Sequence, residues 1–173
     1  TRQRMPALAA GQIERARSFF TAPPYRACDD AAAESLLAGQ RATNRAFDRW
    51  MSRNVSAHRV PGYAIVTLSL KPTGIAPGDA TERQMELVAN LADSYSFGEI
   101  RVTHEQNLVL ADVEKDKLFA LWEAAREAGL ATPNIGMLTD IICCPGGDFC
   151  SLANAKSIPV AEAIQRRFDD LDY

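Results

Sequence analysis

Between residues 62 and 130 the apolar residues switch between strand spacing and helix spacing, and the resulting order of elements leaves few folds open. Tyr63 to Leu70 alternates, with Val66, Leu68 and Leu70 on one face, which predicts a strand. Pro72 to Gly78 is a turn-rich connection. Thr81 and Gln84 stand three apart as a capping box, and the helix they open places Met85, Val88, Leu91 and Ala92 on one side. Phe97-Gly98 breaks it. Ile100 to Thr103 reads as a short strand, His104-Glu105-Gln106 as a turn or bulge, and Leu108 to Val113 as a third strand. Asp116 to Ala128 is a helix with Leu118, Leu121, Trp122 and Ala125 inward and Gly129 as its C-cap. The order βαββα is most of a ferredoxin-like split βαβ, an α+β fold with an antiparallel sheet and both helices on one face.

The flanks differ from this middle. Residues 1 to about 50 read as helical with interruptions: Gln12 to Phe20, stopped by Pro23-Pro24; Asp29 to Leu37, with an aspartate cap and Gly39 near its end; and Ala42 to Arg53, with Phe47, Trp50 and Met51 on one side. After residue 133, Ile135 to Cys144 is an apolar strand candidate. Leu152 to Lys156 is a short helical candidate, and Val160 to Leu171 is in helical register behind Pro159. The expected division is a helical segment over 1–55, a ferredoxin-like half-domain over 56–132, and a further domain opening at 133–173.

That last segment holds the chemistry. Cys144-Pro145-Gly146-Gly147-Asp148-Phe149-Cys150 places two cysteines in a Cys-x5-Cys spacing on a tight glycine turn. Such a loop lets the backbone approach an inorganic centre closely while two thiolates grip it. Two ligands are half of the usual four, and no cysteine follows Cys150. Cys143 and Cys144 cannot both face one centre on an extended backbone, where alternate side chains point opposite ways. Cys144 is therefore taken as the ligand and Cys143 as a core residue. Two other readings remain. One is a set of packed thiols, common for free cysteine. The other is a zinc site with Cys28 and Cys143, although zinc pairs usually stand two to four residues apart.

Composition narrows the setting. A chain of 173 residues with 47% hydrophobic content supports one ordinary domain or two small ones. Its net charge of −3 argues against nucleic acid, which favours a strongly basic surface. No apolar run approaches the roughly 18–20 residues of a membrane span. The start, Thr1-Arg2-Gln3-Arg4, has neither an initiator Met nor a signal-peptide core, so the sequence reads as an internal piece of a longer chain. Four cysteines without a secretory signal fit a reduced, cytoplasmic setting.

Two stretches resemble a known family. Arg101-Val102-Thr103-His104-Glu105-Gln106-Asn107-Leu108-Val109-Leu110 is similar to the segment that closes the ferredoxin-like half-domain of nitrite and sulfite reductases. Thr139 to Ala155 resembles the first half of that family's cluster-binding signature. The motifs stand in the family's order and near its spacing, and the likeness covers roughly residues 55 to 173. It is strongest to the haemoprotein subunits of the assimilatory sulfite-reducing branch. The resemblance implies sirohaem coupled to a 4Fe–4S cluster, and six-electron reduction of sulfite to sulfide or nitrite to ammonia. It implies an electron donor, either a flavoprotein subunit or ferredoxin. It makes residues 1–55 the tail of a first sirohaem-binding domain and 133–173 the start of a second. The family's other two cluster cysteines come in a later Cys-x3-Cys motif that this sequence does not contain, so the stretch alone is expected to be inactive.

The resemblance also nominates Gln106 as sirohaem-binding, and Cys144 and Cys150 as metal ligands; Arg101 and Thr103 alternate onto one face of their strand, which makes them further candidates for holding the cofactor. It nominates no catalytic residue. Each nomination has a plainer counterpart. Gln106 could bond backbone in a turn, and Arg101 with Thr103 could line a solvated face. His104 suits a surface turn, and His58 precedes Pro61 in a linker. A non-catalytic ferredoxin-like binding or structural module with incidental cysteines is the alternative function. Its RNA-binding version is disfavoured, because the strands at 100–103 and 108–113 carry no aromatic residue on which bases could stack.

Overall fold

The computed structural model describes residues 10–169. Its centre is a four-stranded antiparallel sheet: β1 (Val55–Ala57), β2 (Tyr63–Leu68), β3 (Arg101–Val102) and β4 (Leu108–Glu114), in the order β1-β2-β4-β3. The long central pair sets Val66 against Leu110 and Leu68 against Leu108, with an irregularity between Ala64 and Val66. The helices are α1 (Ala10–Arg17), α2 (Asp30–Thr43), α3 (Arg45–Asn54), α4 (Glu82–Tyr95), α5 (Leu118–Glu127) and α6 (Ile158–Phe168). The βαββα order of the half-domain is present, and α4 and α5 contribute to one core with β2 and β4. That core joins Val66, Leu68 and Leu110 to Val88, Leu91, Leu121 and Trp122.

Local chemistry sets the ends of these helices. Thr81 Oγ1 accepts from the Gln84 N–H while the Gln84 side chain accepts from the Thr81 N–H, the reciprocal capping box. Phe97 and Gly98 end α4 with two successive left-handed residues. Gly129, at φ +73°, ends α5: its N–H reaches the Arg126 carbonyl and the Leu130 N–H reaches Ala125, which is the Schellman pattern.

Several expectations are corrected. Met85 is 47% exposed; Gln84 Nε2 ties the first turn of α4 to the Ala128 carbonyl, and Leu87 packs against the core instead. α2 runs through Gly39 to Thr43, because the true stop is Asn44, whose N–H bonds the Gln40 carbonyl while its side chain caps α3. β1 lies where the sequence suggests a linker; it is only three residues long and is defined by its partner β2. Ile135 to Cys144 is not a strand: turns and bends run to Asp140 and irregular chain follows to Cys144. Its polar groups bind side chains of the half-domain rather than a neighbouring strand. Residues 152–156 form turns, not a helix. Leu171 of the last predicted helix lies outside the described residues.

The helical lead-in shares the half-domain's core. Leu37, Phe47 and Trp50 are buried in it, and Phe47 packs edge-on against Phe119 at 5.0 Å between ring centres. Asn54 donates to the carbonyls of Thr67 and Thr132, stitching the end of α3 to both β2 and the start of the last segment.

That last segment is anchored by buried polar groups. Lys71, fully buried, bonds the Asp140 carboxylate at 2.7 Å and the Glu105 carbonyl. Asp140 also accepts from Asn107 Nδ2 at 2.9 Å and from the Gly136 N–H at 3.0 Å. Asn134 accepts from Ser69 Oγ and donates to the Lys71 and Thr139 carbonyls.

Asp140→Ala strands the Lys71 ammonium without its counter-charge and should cost about 3–5 kcal/mol in urea unfolding. Adding Lys71→Met should recover much of that loss. A second outcome concerns pH. Bonds from the Lys115 ammonium and the Gly62 N–H hold the Asp30 carboxyl below its ordinary value of 3.8. A depressed carboxyl contributes stability that is present above the ordinary value and lost as pH falls through the folded one. Thermal melts should therefore decline on acidification below about pH 4, and less steeply in Asp30→Asn.

Candidate functional site

The hairpin joining β3 to β4 aims one side chain at the cysteine segment. Gln106 has φ +59°, the left-handed region that non-glycine residues seldom occupy. The hairpin imposes it: the Gln106 N–H bonds the Thr103 carbonyl and the Thr103 N–H bonds the Asn107 carbonyl, closing a short loop that needs a left-handed residue at its end. The amide of Gln106 then reads both backbone groups of Cys143. Its Nε2 donates to the Cys143 carbonyl and its Oε1 accepts from the Cys143 N–H, each at 2.9 Å. A side chain thus takes the place of a strand neighbour. Gly78 makes room, because a Cβ there would lie 3.0 Å from Gln106 Cβ.

Beyond the clamp the two adjacent cysteines part. Cys143 is buried, and its Sγ lies 3.2 Å from the Cys144 carbonyl. Burial pushes its thiol up, helped by the charges of Cys144 and Asp79. Cys144 is exposed; the Ser157 hydroxyl, 3.5 Å away, and the Gly146 N–H hold its thiol below the usual range. A single turn of 3-10 helix at Gly146–Asp148 follows, and the Cys150 N–H bonds back to the Gly146 carbonyl at 2.9 Å. The Cys150 thiol is half-buried. The Gly147 N–H bonds the Ala155 carbonyl at 2.8 Å, and Lys156 pairs with Asp148 at 2.9 Å, so the loop is closed on itself.

A hollow of about 300 Å³ lies over these groups, lined among others by Pro77, Asp79, Gln106, Cys144, Pro145 and Phe149. Gln106 and Cys144 therefore share one wall. Arg101 and Thr103 do not line it. Arg101 is exposed and bonds Glu99 at 2.6 Å, which raises its guanidinium further. Thr103 accepts the Asn107 N–H within the hairpin. Cys28 packs beside Gly62, not at the loop. Among the described residues, no group of three or more His, Cys, Asp or Glu side chains is placed to hold a metal ion. Large apolar side chains stand open around the loop, with Phe149 79% and Leu152 89% exposed.

Residues 61–128 match the nitrite/sulfite reductase ferredoxin-like half domain. This segment belongs to the nitrite/sulfite reductase family. Its relatives include the chloroplastic ferredoxin–nitrite reductase of Betula pendula, 30% identical over 83% of this chain and 24% of the relative. The same enzyme of Spinacia oleracea is 28% identical over 83% of this chain and 23% of its own length. A protein named sulfite reductase [ferredoxin] 2, of Mycolicibacterium paratuberculosis, is 29% identical over 60% of this chain and 20% of its own. The chain spans about a quarter of the length of the curated relatives it matches. The matched half-domain supplies the hairpin and Gln106, while the cysteine loop lies outside the matched residues and is tied on by side chains.

Sequence reasoning missed Lys71, Asn107 and Asp140, which fix the segment, and Ser157, which touches the Cys144 sulfur. One signal was available for Lys71: a lysine directly continuing the buried run Leu68-Ser69-Leu70. Nothing comparable marks Ser157, which stands 13 residues from Cys144.

Gln106→Ala leaves the N–H and carbonyl of Cys143 without their partners. The expected loss is about 1–3 kcal/mol in chemical denaturation. Hydrogen exchange at the Cys143 amide should accelerate with it. Gln106→Asn suits the left-handed backbone but has a shorter reach, so exchange there should remain fast.

Proposed function

We propose that this chain is the ferredoxin-like half-domain and the opening of the metal-binding segment of a sirohaem- and 4Fe–4S-dependent reductase. The reaction is the six-electron reduction of nitrite to ammonia or of sulfite to sulfide. One observation carries the reading: the exposed thiol of Cys144, on the loop it shares with Cys150, directly follows Cys143, whose backbone Gln106 clamps to this family's half-domain. The donor chemistry fits an iron–sulfur cluster. Two free thiols flank a glycine turn, one of them held low by hydrogen bonds. They are half of a four-thiolate set, and the remaining ligands belong to other residues of the working protein.

When bound, the cluster supplies one-electron relay and the sirohaem supplies the iron at which the oxyanion is reduced. The chain's own residues do the holding. Cys144 and Cys150 are the metal ligands, and Cys143 is a packing residue. Gln106 fixes the loop and stands with Arg101 and Thr103 on the hairpin assigned to the sirohaem side. Residues 1–55 correspond to the tail of a preceding sirohaem domain, 56–132 to the half-domain and 133–173 to the start of the next. Relatives named for ferredoxin favour ferredoxin over a flavoprotein subunit as electron donor. No helix among the described residues is long and apolar enough to cross a membrane, and the cytoplasm is the proposed compartment.

The test is iron and acid-labile sulfide content, with nitrite- and sulfite-dependent turnover, in the cofactor-loaded holoprotein. Cys144→Ser and Cys150→Ser should each lose the cluster and the activity, because a serine oxygen is a poor substitute for the soft thiolate. Cys143→Ser should keep its metal and lose only about 1–3 kcal/mol of stability from burying a hydroxyl. The opposite pattern for Cys143 and Cys144 would move the ligand by one residue. A wild-type holoprotein without iron and sulfide would refute the reading.

A further inference from the structure

We propose that Ser157 is a positioning residue for the metal site, its hydroxyl donating a hydrogen bond to Cys144 Sγ and stabilising negative charge on that sulfur. The proposal rests on the reading of Cys144 as a cluster ligand. Ser157 is the N-cap of α6, a place where serine normally accepts a hydrogen bond from the second or third N–H of the helix. It makes no such bond here. Pro159 occupies the second position and has no N–H to offer, and Ser157 itself has helical dihedrals, φ −84° and ψ −37°. The hydroxyl is thereby released from capping, and it lies 3.5 Å from Cys144 Sγ.

The approach is built by Gly146. A Cβ on that residue would stand 2.7 Å from the Ser157 nitrogen, 2.8 Å from its Oγ and 2.9 Å from the Ala155 carbonyl. Only a glycine, already at φ +57°, lets the start of α6 close on the cysteine turn. A ligand thiolate has no proton, so the hydroxyl must be the donor. Donors to ligand sulfurs favour the more negatively charged, reduced state and so raise a cluster's potential.

The experiment is the midpoint potential of the cluster in the holoprotein, followed by electron paramagnetic resonance under redox titration, together with thermal melting. Ser157→Ala should shift the oxidised-to-reduced equilibrium toward oxidised by up to roughly tenfold, about 59 mV more negative for a one-electron couple. Ser157→Thr should restore the wild-type potential. Ser157→Asp puts a negative charge at the start of α6, which the helix dipole favours, but places an acceptor at the sulfur, so its melting temperature should hold while its potential falls below that of Ser157→Ala. Should Ser157→Ala shed its cluster, the Thr and Asp variants decide the matter in the same way. Three variants with the wild-type potential, differing only in melting temperature, would make Ser157 an ordinary helix start and overturn the proposal. A wild-type protein with no 4Fe–4S signal sinks the functional reading and this proposal together; a loaded wild type with an unmoved potential sinks this proposal alone.

Discussion

The ion pair between Lys71 and Asp140 decides where the cysteine segment sits. Both side chains are nearly or fully removed from water, at 0% and 6% exposure. Desolvating two charges costs several kcal/mol apiece, and their attraction offsets this only where further hydrogen bonds satisfy what remains. Those bonds are present: the Glu105 carbonyl on Lys71, and Asn107 and the Gly136 N–H on Asp140. The pair adds little net stability compared with an apolar substitute, but it tolerates one arrangement of the chain. Sliding residues 134–143 by one position would leave a buried ammonium facing the wrong partner. The Gln106 clamp lies three residues beyond Asp140 and inherits its register.

Strained backbone accompanies this anchor. Gln106 accepts a left-handed conformation so that its amide can face Cys143, and Gly78 and Gly146 vacate the space that the hairpin and the start of α6 need. The residues that carry chemistry stand on turns, while the sheet and helices behind them are packed and regular, an economical way to present reactive groups on a rigid support. Two adjacent cysteines acquire opposite characters as a result. One is pressed into apolar surroundings that disfavour its thiolate, and the other is turned outward toward donors that favour it.

The other side of the sheet carries a separate polar plug. Tyr25 donates to Asp112 at 2.5 Å, and His58 Nε2 reaches the same carboxylate at 3.2 Å. The hydrogen bond to Asp112 pushes the Tyr25 phenol up, since ionising it would place two negative charges together. With Arg26 on Glu114, these contacts bind the chain before α2 across β4. The helical lead-in and the half-domain are thus in contact on both faces of the sheet.

Periodicity alone was enough for βαββα, because each element of the half-domain buries one side against a common core and its apolar residues must repeat at 2 or 3.6. Caps were equally legible at Thr81, Asp29 and Gly129, since their bonds span only a few residues. The cysteine loop was visible as a spacing. Failures began where partners are distant. Ile135 to Cys144 has the composition of a strand, but it pairs with no strand of the sheet, and its carbonyls are met by Gln106, Asn134 and Lys71. Three residues at Val55–Ala57 become a strand only because β2 lies beside them. The seat of the cysteine loop, the burial of one cysteine beside an exposed one, and the hydroxyl at Cys144 all depend on contacts across 13 to 69 residues of chain. Sequence spacing encodes neighbours along a helix or strand; it carries no record of which distant side chain will complete a buried charge, and that was decided only when the chain closed on itself.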